Sequence, residues 1–151
     1  MQLTWTYKHF DELTTKELYS ILSLRSEVFV VEQNCVYLDF DSKDEKCWHL
    51  AGWDGDRLAA YCRIVPPGIS FADPSIGRVV TSPNYRRGGA GRQLMQLGIQ
   101  KTLEQFNYRT ITIGAQLYLR QFYESLGFAQ ISEPYDEDGI LHIHMQFGME
   151  N

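Results

Sequence analysis

Hydrophobic and polar residues follow two different periods along this chain, one typical of strands and one typical of helices. Residues 3–7 alternate and predict a first strand. Thr14 and Glu17 then stand three positions apart, as the partners of a capping box do, and apolar residues continue from Leu18 to Phe29 at the spacing of one helix face. The N-terminal part is therefore predicted to be a strand followed by a long helix.

The rest of the chain continues this mixture of strands and helices. In chain order, we predict strands at residues 48–53 and 58–65 joined by the hairpin turn Asp54-Gly55, a strand at 76–81, a helix at 90–106 and a strand at 110–113. A helix around Tyr123 then ends at Gly127, an extended run begins at Phe128, and a last strand covers 140–147. In the last strand His142, His144 and Gln146 share the polar face. We expect a single mixed α/β domain over residues 1–151.

Composition narrows the class of protein. The 151 residues carry a net charge of −5, which disfavours non-specific binding to nucleic acid because that requires basic surfaces. Cys35, Cys47 and Cys62 form no C-x-x-C pair, and the chain has neither a signal-peptide pattern nor an apolar run long enough to span a bilayer. We therefore expect a cytoplasmic protein with reduced cysteines and with no membrane or nucleic-acid partner.

The glycine-rich loop at residues 86–92 is the strongest indication of chemistry. It leads from the predicted strand at 76–81 into the helix at 90–106, where free backbone N–H groups and the positive end of the helix dipole favour an anion. Glycine permits a close approach because it lacks a Cβ atom. The P-loop pattern is absent, and the dinucleotide pattern fails at Leu94, where glycine is needed. These residues therefore predict a pyrophosphate site of another kind.

Three parts of the sequence resemble one enzyme family. Arg86-x-x-Gly89-x-Gly91 resembles the R/Q-x-x-G-x-G/A motif with which the GNAT superfamily of N-acetyltransferases binds the pyrophosphate of acetyl-CoA. Residues 122–128, F-Y-E-S-L-G-F, are similar to the next motif of that superfamily. Residues 24–37 and 138–145 are similar to its ElaA-type branch. The resemblance implies a mainly antiparallel sheet that splays open at the cofactor and is flanked by helices on both faces.

The resemblance also assigns roles to individual residues. It implies that acetyl-CoA is the co-substrate and that a primary amine of a small molecule accepts the acetyl group in a ternary complex. Tyr123 is then the general acid for the departing thiolate. The backbone of Val79, Val80 and Thr81 is expected to pair with the pantetheine arm as an added strand. The other cofactor contacts are assigned to Arg86, Arg87, Gly88, Gly89, Ala90, Gly91, Arg92 and Gln116.

No motif marks the general base. Some relatives carry a glutamate early on the strand before the glycine-rich loop, but this chain has Ser75 there, so Glu32 and His142 are the candidates. His142 and His144 stand two residues apart, but a zinc site needs a third protein ligand, and we predict no metal. The acidic run at residues 39–45 fails the EF-hand pattern and is predicted to be a solvated loop.

Other functions of the same fold stay open from the sequence. The acceptor can instead be a lysine of a protein or peptide, since nothing in the chain separates that side chain from a free amine. A module that binds acyl-CoA without turnover is a second alternative. The missing carboxylate at Ser75 favours it, and the complete motif around Tyr123 opposes it. Association into a homodimer is a further expectation.

Overall fold

Eight antiparallel strands in two sheets form the framework of residues 2–148, the range that the structure, a computed structural model, describes. The first sheet has the order β1-β2-β3-β4 and consists of β1 (Thr4–His9), β2 (Trp48–Asp54), β3 (Arg57–Val65) and β4 (Ser75–Thr81). The second has the order β5-β8-β6, with β7 paired to β8, and consists of β5 (Ile111–Gln116), β6 (Phe128–Gln130), β7 (Tyr135–Glu137) and β8 (Ile140–Phe147). All predicted strands are present, and only the short β7 was missed.

The first helix begins at the predicted capping box. The Glu17 amide donates to the Thr14 hydroxyl over 3.1 Å, and the Thr14 amide donates to a Glu17 carboxylate oxygen over 2.8 Å. Helix α1 (Thr15–Arg25) then continues into a π-helical turn, Ser26–Glu32. The predicted long helix is therefore confirmed, and its last turn carries Glu32 to the neighbourhood of the glycine-rich loop.

Helices cover both faces of the first sheet. Tyr61 and Cys62 are neighbours on β3 and therefore point to opposite faces. Tyr61 belongs to the apolar cluster beneath α1, whereas Cys62 belongs to the larger cluster beneath α2 (Ala90–Phe106). This confirms the predicted architecture of one mixed α/β domain with helices on both sides of a mainly antiparallel sheet.

The third helix is short and ends where the sequence predicts. Helix α3 (Arg120–Glu124) follows β5 through a 3₁₀ turn, and the Gly127 amide donates to the Glu124 carbonyl over 3.1 Å. Gly127 has φ +105°, a conformation that favours glycine, and an added Cβ would lie 2.9 Å from the Phe147 ring. Both the backbone conformation and the packing of β8 therefore require glycine at this position.

The two sheets part between β4 and β5. The strands touch near their starts, where the Thr112 amide donates to the Pro74 carbonyl over 3.1 Å. Beyond that bond, within residues 2–148, β4 and β5 are not paired, and each is the edge of its own sheet. A cleft therefore opens between them.

The prediction of a solvated loop at residues 39–45 is wrong. Asp39 is 4% exposed and lies 2.8 Å from the guanidinium of Arg25, which is fully buried. Asp41 and Asp44 both pair with Arg63, a side chain only 4% exposed. Ion pairs with arginines from other elements compensate for the desolvation of these carboxylates. The local sequence does not reveal these partners, so the acidic residues alone predicted a loop exposed to solvent.

The cysteines are as predicted. Cys35, Cys47 and Cys62 are free thiols and all three are buried. Among residues 2–148, no helix combines the length and the apolar character that crossing a bilayer requires.

Candidate active site

A cavity of about 1110 Å³ fills the gap between β4 and β5. Its walls come from both sheets, from the π-helical turn and from the segment at residues 35–43. Nine of the predicted site residues line it: Glu32, Val79, Val80, Thr81, Arg86, Gly91, Gln116, Tyr123 and His142. Residues that are far apart in sequence are thus brought together as the prediction requires.

The wall formed by β4 directs backbone groups into the cleft. The Ser82 amide donates to the Ala59 carbonyl over 2.8 Å, so at this residue the backbone faces β3. The preceding Thr81 carbonyl faces the other way, and it accepts a bond from Arg86 Nε over 3.2 Å. Since these directions alternate along a strand, the amide and carbonyl of Val79 also face the cleft. An extended ligand segment can pair with this edge as a further strand does.

The glycine-rich loop ends in a helix start with free donors. Arg87 and Gly89 have φ of +75° and +81°, and α2 begins directly afterwards at Ala90. Within residues 2–148, the backbone amides of residues 87–92 donate to no other protein group. These amides and the positive end of the α2 dipole suit an anion.

The side chains of the loop are not all directed into the cleft. Gly91 lines the cavity, whereas Arg87, Gly88, Gly89, Ala90 and Arg92 lie outside its lining. Arg92 donates to the Ser125 hydroxyl over 2.9 Å and stands 5.5 Å from the centre of the Phe122 ring. Its guanidinium therefore ties α2 to α3, and the predicted anion site consists mainly of backbone.

Tyr123 reaches the cleft from α3. It is 5% exposed and its ring packs against Phe122 and Phe128, with centroids 5.3 and 5.9 Å away. Within the described residues its hydroxyl has no hydrogen-bond partner. Burial raises the pKa of Tyr123 above its ordinary value of 10.0, so the phenol keeps its proton at neutral pH. A protonated phenol therefore borders the free volume of the cleft.

Glu32 is held by the loop residue Arg86. Two parallel contacts join the guanidinium to the carboxylate, at 2.8 and 2.6 Å. These hydrogen bonds lower the pKa of Glu32 below its ordinary value of 4.5. A carboxylate stabilised in this way is a weaker base, which counts against Glu32 as the group that deprotonates an amine.

His142 lies on β8, directly opposite Gln116 of β5. Its Nδ1 is 2.8 Å from the Ile140 carbonyl oxygen, and its Nε2 is 3.3 Å from a carboxylate oxygen of Glu137. Both ring nitrogens thus face acceptors. His142 has a place in the cleft but needs Glu137 to move before Nε2 can accept a proton from a substrate.

Aromatic residues that the sequence did not single out complete this part of the cleft. Tyr135 packs between His142 and His144, with ring centroids 5.9 and 4.9 Å away, and Phe71 contacts His144 at 5.1 Å. The turn Asp138-Gly139 was the available signal, because a hairpin there places Tyr135 opposite His142. No group of side chains suited to a metal ion occurs in the described part of the chain.

Comparison with known proteins identifies the family. The sequence profile of the acetyltransferase (GNAT) domain matches residues 12–149. The chain belongs to the GNAT acetyltransferase family. It is 42% identical to a UPF0039 protein of Synechocystis sp. over 97% of this chain and 96% of that one, and 40% identical to the protein ElaA of Escherichia coli over 95% of each.

Solved structures of GNAT proteins agree with the fold. A crystal structure of an acyl-CoA N-acyltransferase from Pseudomonas aeruginosa superposes with a TM-score of 0.92 at 40% identity, over 97% of this chain and 99% of that one. The crystal structure of ElaA from E. coli gives a TM-score of 0.91 at 38% identity, with the same coverage. The resemblance to the ElaA-type branch of the GNAT family is thereby confirmed over nearly the whole chain.

Proposed function

We propose that this GNAT protein moves the acetyl group of acetyl-CoA to a primary amine of a small molecule, by direct transfer in a ternary complex. The observation that carries the proposal is the cleft between β4 and β5. It combines a free strand edge, a helix start with unpaired amides and a buried phenol. These three features match the extended arm, the anionic group and the leaving thiolate of one ligand.

The parts of the ligand correspond to parts of the cleft. The pantetheine arm has amide groups that can pair with the edge at Val79 and Thr81. The pyrophosphate suits the amides of residues 87–92. Gln116 bonds to Gln33 across the cleft, at 3.4 and 3.5 Å, and its amide is available for a further polar contact with the cofactor.

The chemistry requires two proton movements. The neutral amine attacks the thioester carbonyl, the C–N bond forms, the C–S bond breaks, and the thiolate takes a proton from the Tyr123 hydroxyl. The excess proton of the amine leaves to a base. Of the two predicted bases His142 is the better placed, because it lines the cleft on β8 while Glu32 is bound by Arg86. Much of the acceleration comes from holding the two substrates in position.

The test is binding of acetyl-CoA by the wild-type chain and by Gly91→Val. A Cβ at Gly91 meets only the Thr81 hydroxyl, at 3.4 Å, so the variant should fold while its side chain occupies the path of the ligand. We expect calorimetry to give a dissociation constant about 100-fold weaker, as loss of a close backbone approach costs several hydrogen bonds. Gln96→Val, on the exposed face of the same helix, is the control for the helix propensity of valine.

The acceptor is tested by thiol release with a panel of amines and lysine peptides. Turnover with small amines supports the proposal, and turnover confined to peptides would assign the lysine acetyltransferase alternative. Acetyl-CoA binding without thiol release would assign the non-catalytic module. Equal affinity of wild type and a folded Gly91→Val would refute the placement of the cofactor.

The proposal extends to the cellular location, the partners and the oligomeric state of the enzyme. We place it in the cytoplasm, where the buried thiols of Cys35, Cys47 and Cys62 stay reduced. The net charge of −5 supports the absence of a nucleic-acid partner. The homodimer remains a prediction, which light scattering on the purified chain would test.

A further inference from the structure

Strand β4 contains a β-bulge within the wall of the cleft. Gly77 lies opposite Arg63 and Val80 lies opposite Tyr61, so two residues, Arg78 and Val79, share the place opposite Cys62. One extra residue reverses the direction of every backbone group that follows it in the strand. The bulge therefore decides that the amides and carbonyls of Val79 and Thr81 face the cleft.

Arg78 adopts an unusual backbone conformation at this bulge. Its φ is +49°, in the left-handed region that is unfavourable for residues with a Cβ. The other non-glycine residues with positive φ in the range 2–148 lie in turns, in a loop or at a helix end, whereas Arg78 lies inside a strand. Such a conformation persists only where the surroundings enforce it.

Ionic contacts of the side chain supply that enforcement. Arg78 Nε lies 2.8 Å from Asp39 Oδ1, and Nη2 donates to the Asp39 carbonyl over 3.1 Å. Nη2 also lies 3.3 Å from Asp41 Oδ2, and the guanidinium stands 5.9 Å from the centre of the Tyr37 ring. The segment at residues 35–43 thus holds the bulge from outside the sheet.

The partners of Arg78 are themselves fixed. Asp39 Oδ2 accepts from Arg25 Nε over 2.8 Å, and Asp39 Oδ1 accepts from the Tyr37 hydroxyl over 2.8 Å. Both carboxylate oxygens of Asp41 are bound by Arg63, at 2.8 and 2.7 Å. Because Arg25 and Asp39 are almost fully buried, this network has little freedom to rearrange.

We propose that Arg78 is a positioning residue for acyl transfer: its ion pairs with Asp39 and Asp41 lock the β4 bulge, and the locked bulge aims the backbone of Val79 and Thr81 at the thioester arm. The proposal rests on the proposed function for the identity of the ligand. Arg78 acts through the backbone and does not itself react.

The test compares Arg78→Gly and Arg78→Lys with the wild type. Glycine adopts φ +49° freely, so Arg78→Gly keeps the bulge accessible and removes the ionic contacts of the side chain. We expect its kcat to fall about 10- to 100-fold, because a misplacement of about 1 Å costs up to about 10²-fold. The acetyl-CoA dissociation constant should change less than about threefold, since the pyrophosphate site is untouched. Arg78→Lys keeps the charge and should recover part of kcat.

Arg57→Ala, at the exposed start of β3, is the control for loss of a surface arginine and should leave kcat unchanged. A merely structural role would lower the melting temperature of Arg78→Gly without lowering kcat per folded molecule. That result, or wild-type kcat in both Arg78 variants, would overturn the proposal.

Hydrogen exchange of the ligand-free chain tests the role of Arg78 independently of the proposed function. If the wild type fails to bind acetyl-CoA, the proposed function is wrong, but the lock can still be measured in the ligand-free chain. The β4 amides should then exchange about tenfold faster in Arg78→Gly than in wild type, since local opening becomes easier. Unchanged exchange would show that the bulge needs no lock.

Discussion

Replacing Tyr123 by phenylalanine removes one oxygen from the cleft and separates its chemical role from its packing role. The Tyr123 hydroxyl has no protein partner among residues 2–148, while its ring packs against Phe122 and Phe128. Loss of a hydroxyl that makes no hydrogen bond to the protein is nearly neutral, so the unfolding free energy should change by less than about 1 kcal/mol. Any larger effect on activity then reflects chemistry.

We expect Tyr123→Phe to lower kcat by about 10²-fold, the lower end of the range for general acid catalysis, because a thiolate leaves fairly easily without a proton. The acetyl-CoA dissociation constant should stay within about twofold, since the phenol acts only when charge develops on sulfur. Burial raises the pKa of Tyr123 above 10.0, so the wild type should keep its protonated acid up to about pH 10. The defect should therefore be constant across neutral pH.

The assay is steady-state thiol release with an acceptor that turns over, combined with calorimetric binding of CoA and thermal unfolding. Tyr108→Phe, beyond the end of α2, serves as the control for loss of a tyrosine hydroxyl. Wild-type kcat in Tyr123→Phe at every pH would mean that Tyr123 is a core tyrosine and that water protonates the thiolate.

Two further predictions follow from the charged residues. Glu32→Gln should bind acetyl-CoA about two- to fivefold more tightly, because the Glu32 carboxylate no longer competes with the ligand for Arg86. Its kcat should not change. A kcat about 100-fold lower would instead identify Glu32 as the base. Burial alone would raise the pKa of Asp41, but Arg63 holds it well below 3.8. Asp41 thus stabilises the fold above about pH 4, and this contribution is lost as the pH falls further. Between about pH 5 and 2, the unfolding free energy of Asp41→Asn, measured with denaturant, should fall less than that of the wild type. Equal falls in the two proteins would contradict the assignment.

Local signals explain what the sequence predicted well. The capping box at Thr14 and Glu17, the turn at Gly55 and the helix end at Gly127 each depend on residues within a few positions. The glycine-rich loop and the Tyr123 motif are equally local, and the fold brings them to one cleft. Their positions could therefore be predicted before any tertiary contact was known.

Long-range pairing explains what the sequence did not reveal. Asp39 meets Arg25 at a separation of 14 residues and Arg78 at a separation of 39. Nothing near Asp39 marks these partners, so the acidic run looked solvated. The pairing of Glu32 with Arg86, 54 residues apart, was missed for the same reason, and it changes the chemistry expected of Glu32.

The parting of β4 from β5 also bears on how the chain avoids aggregation through an exposed strand edge. An open strand edge is a template on which another chain can add a strand and begin aggregation. Here the edge at Val79 and Thr81 is recessed between two sheets, where a thin, flexible ligand arm fits more readily than a neighbouring protein strand. A ligand that binds only the folded chain also stabilises it by mass action. If the cleft binds acyl-CoA as proposed, the abundance of that ligand would influence both the reaction rate and the stability of the folded chain.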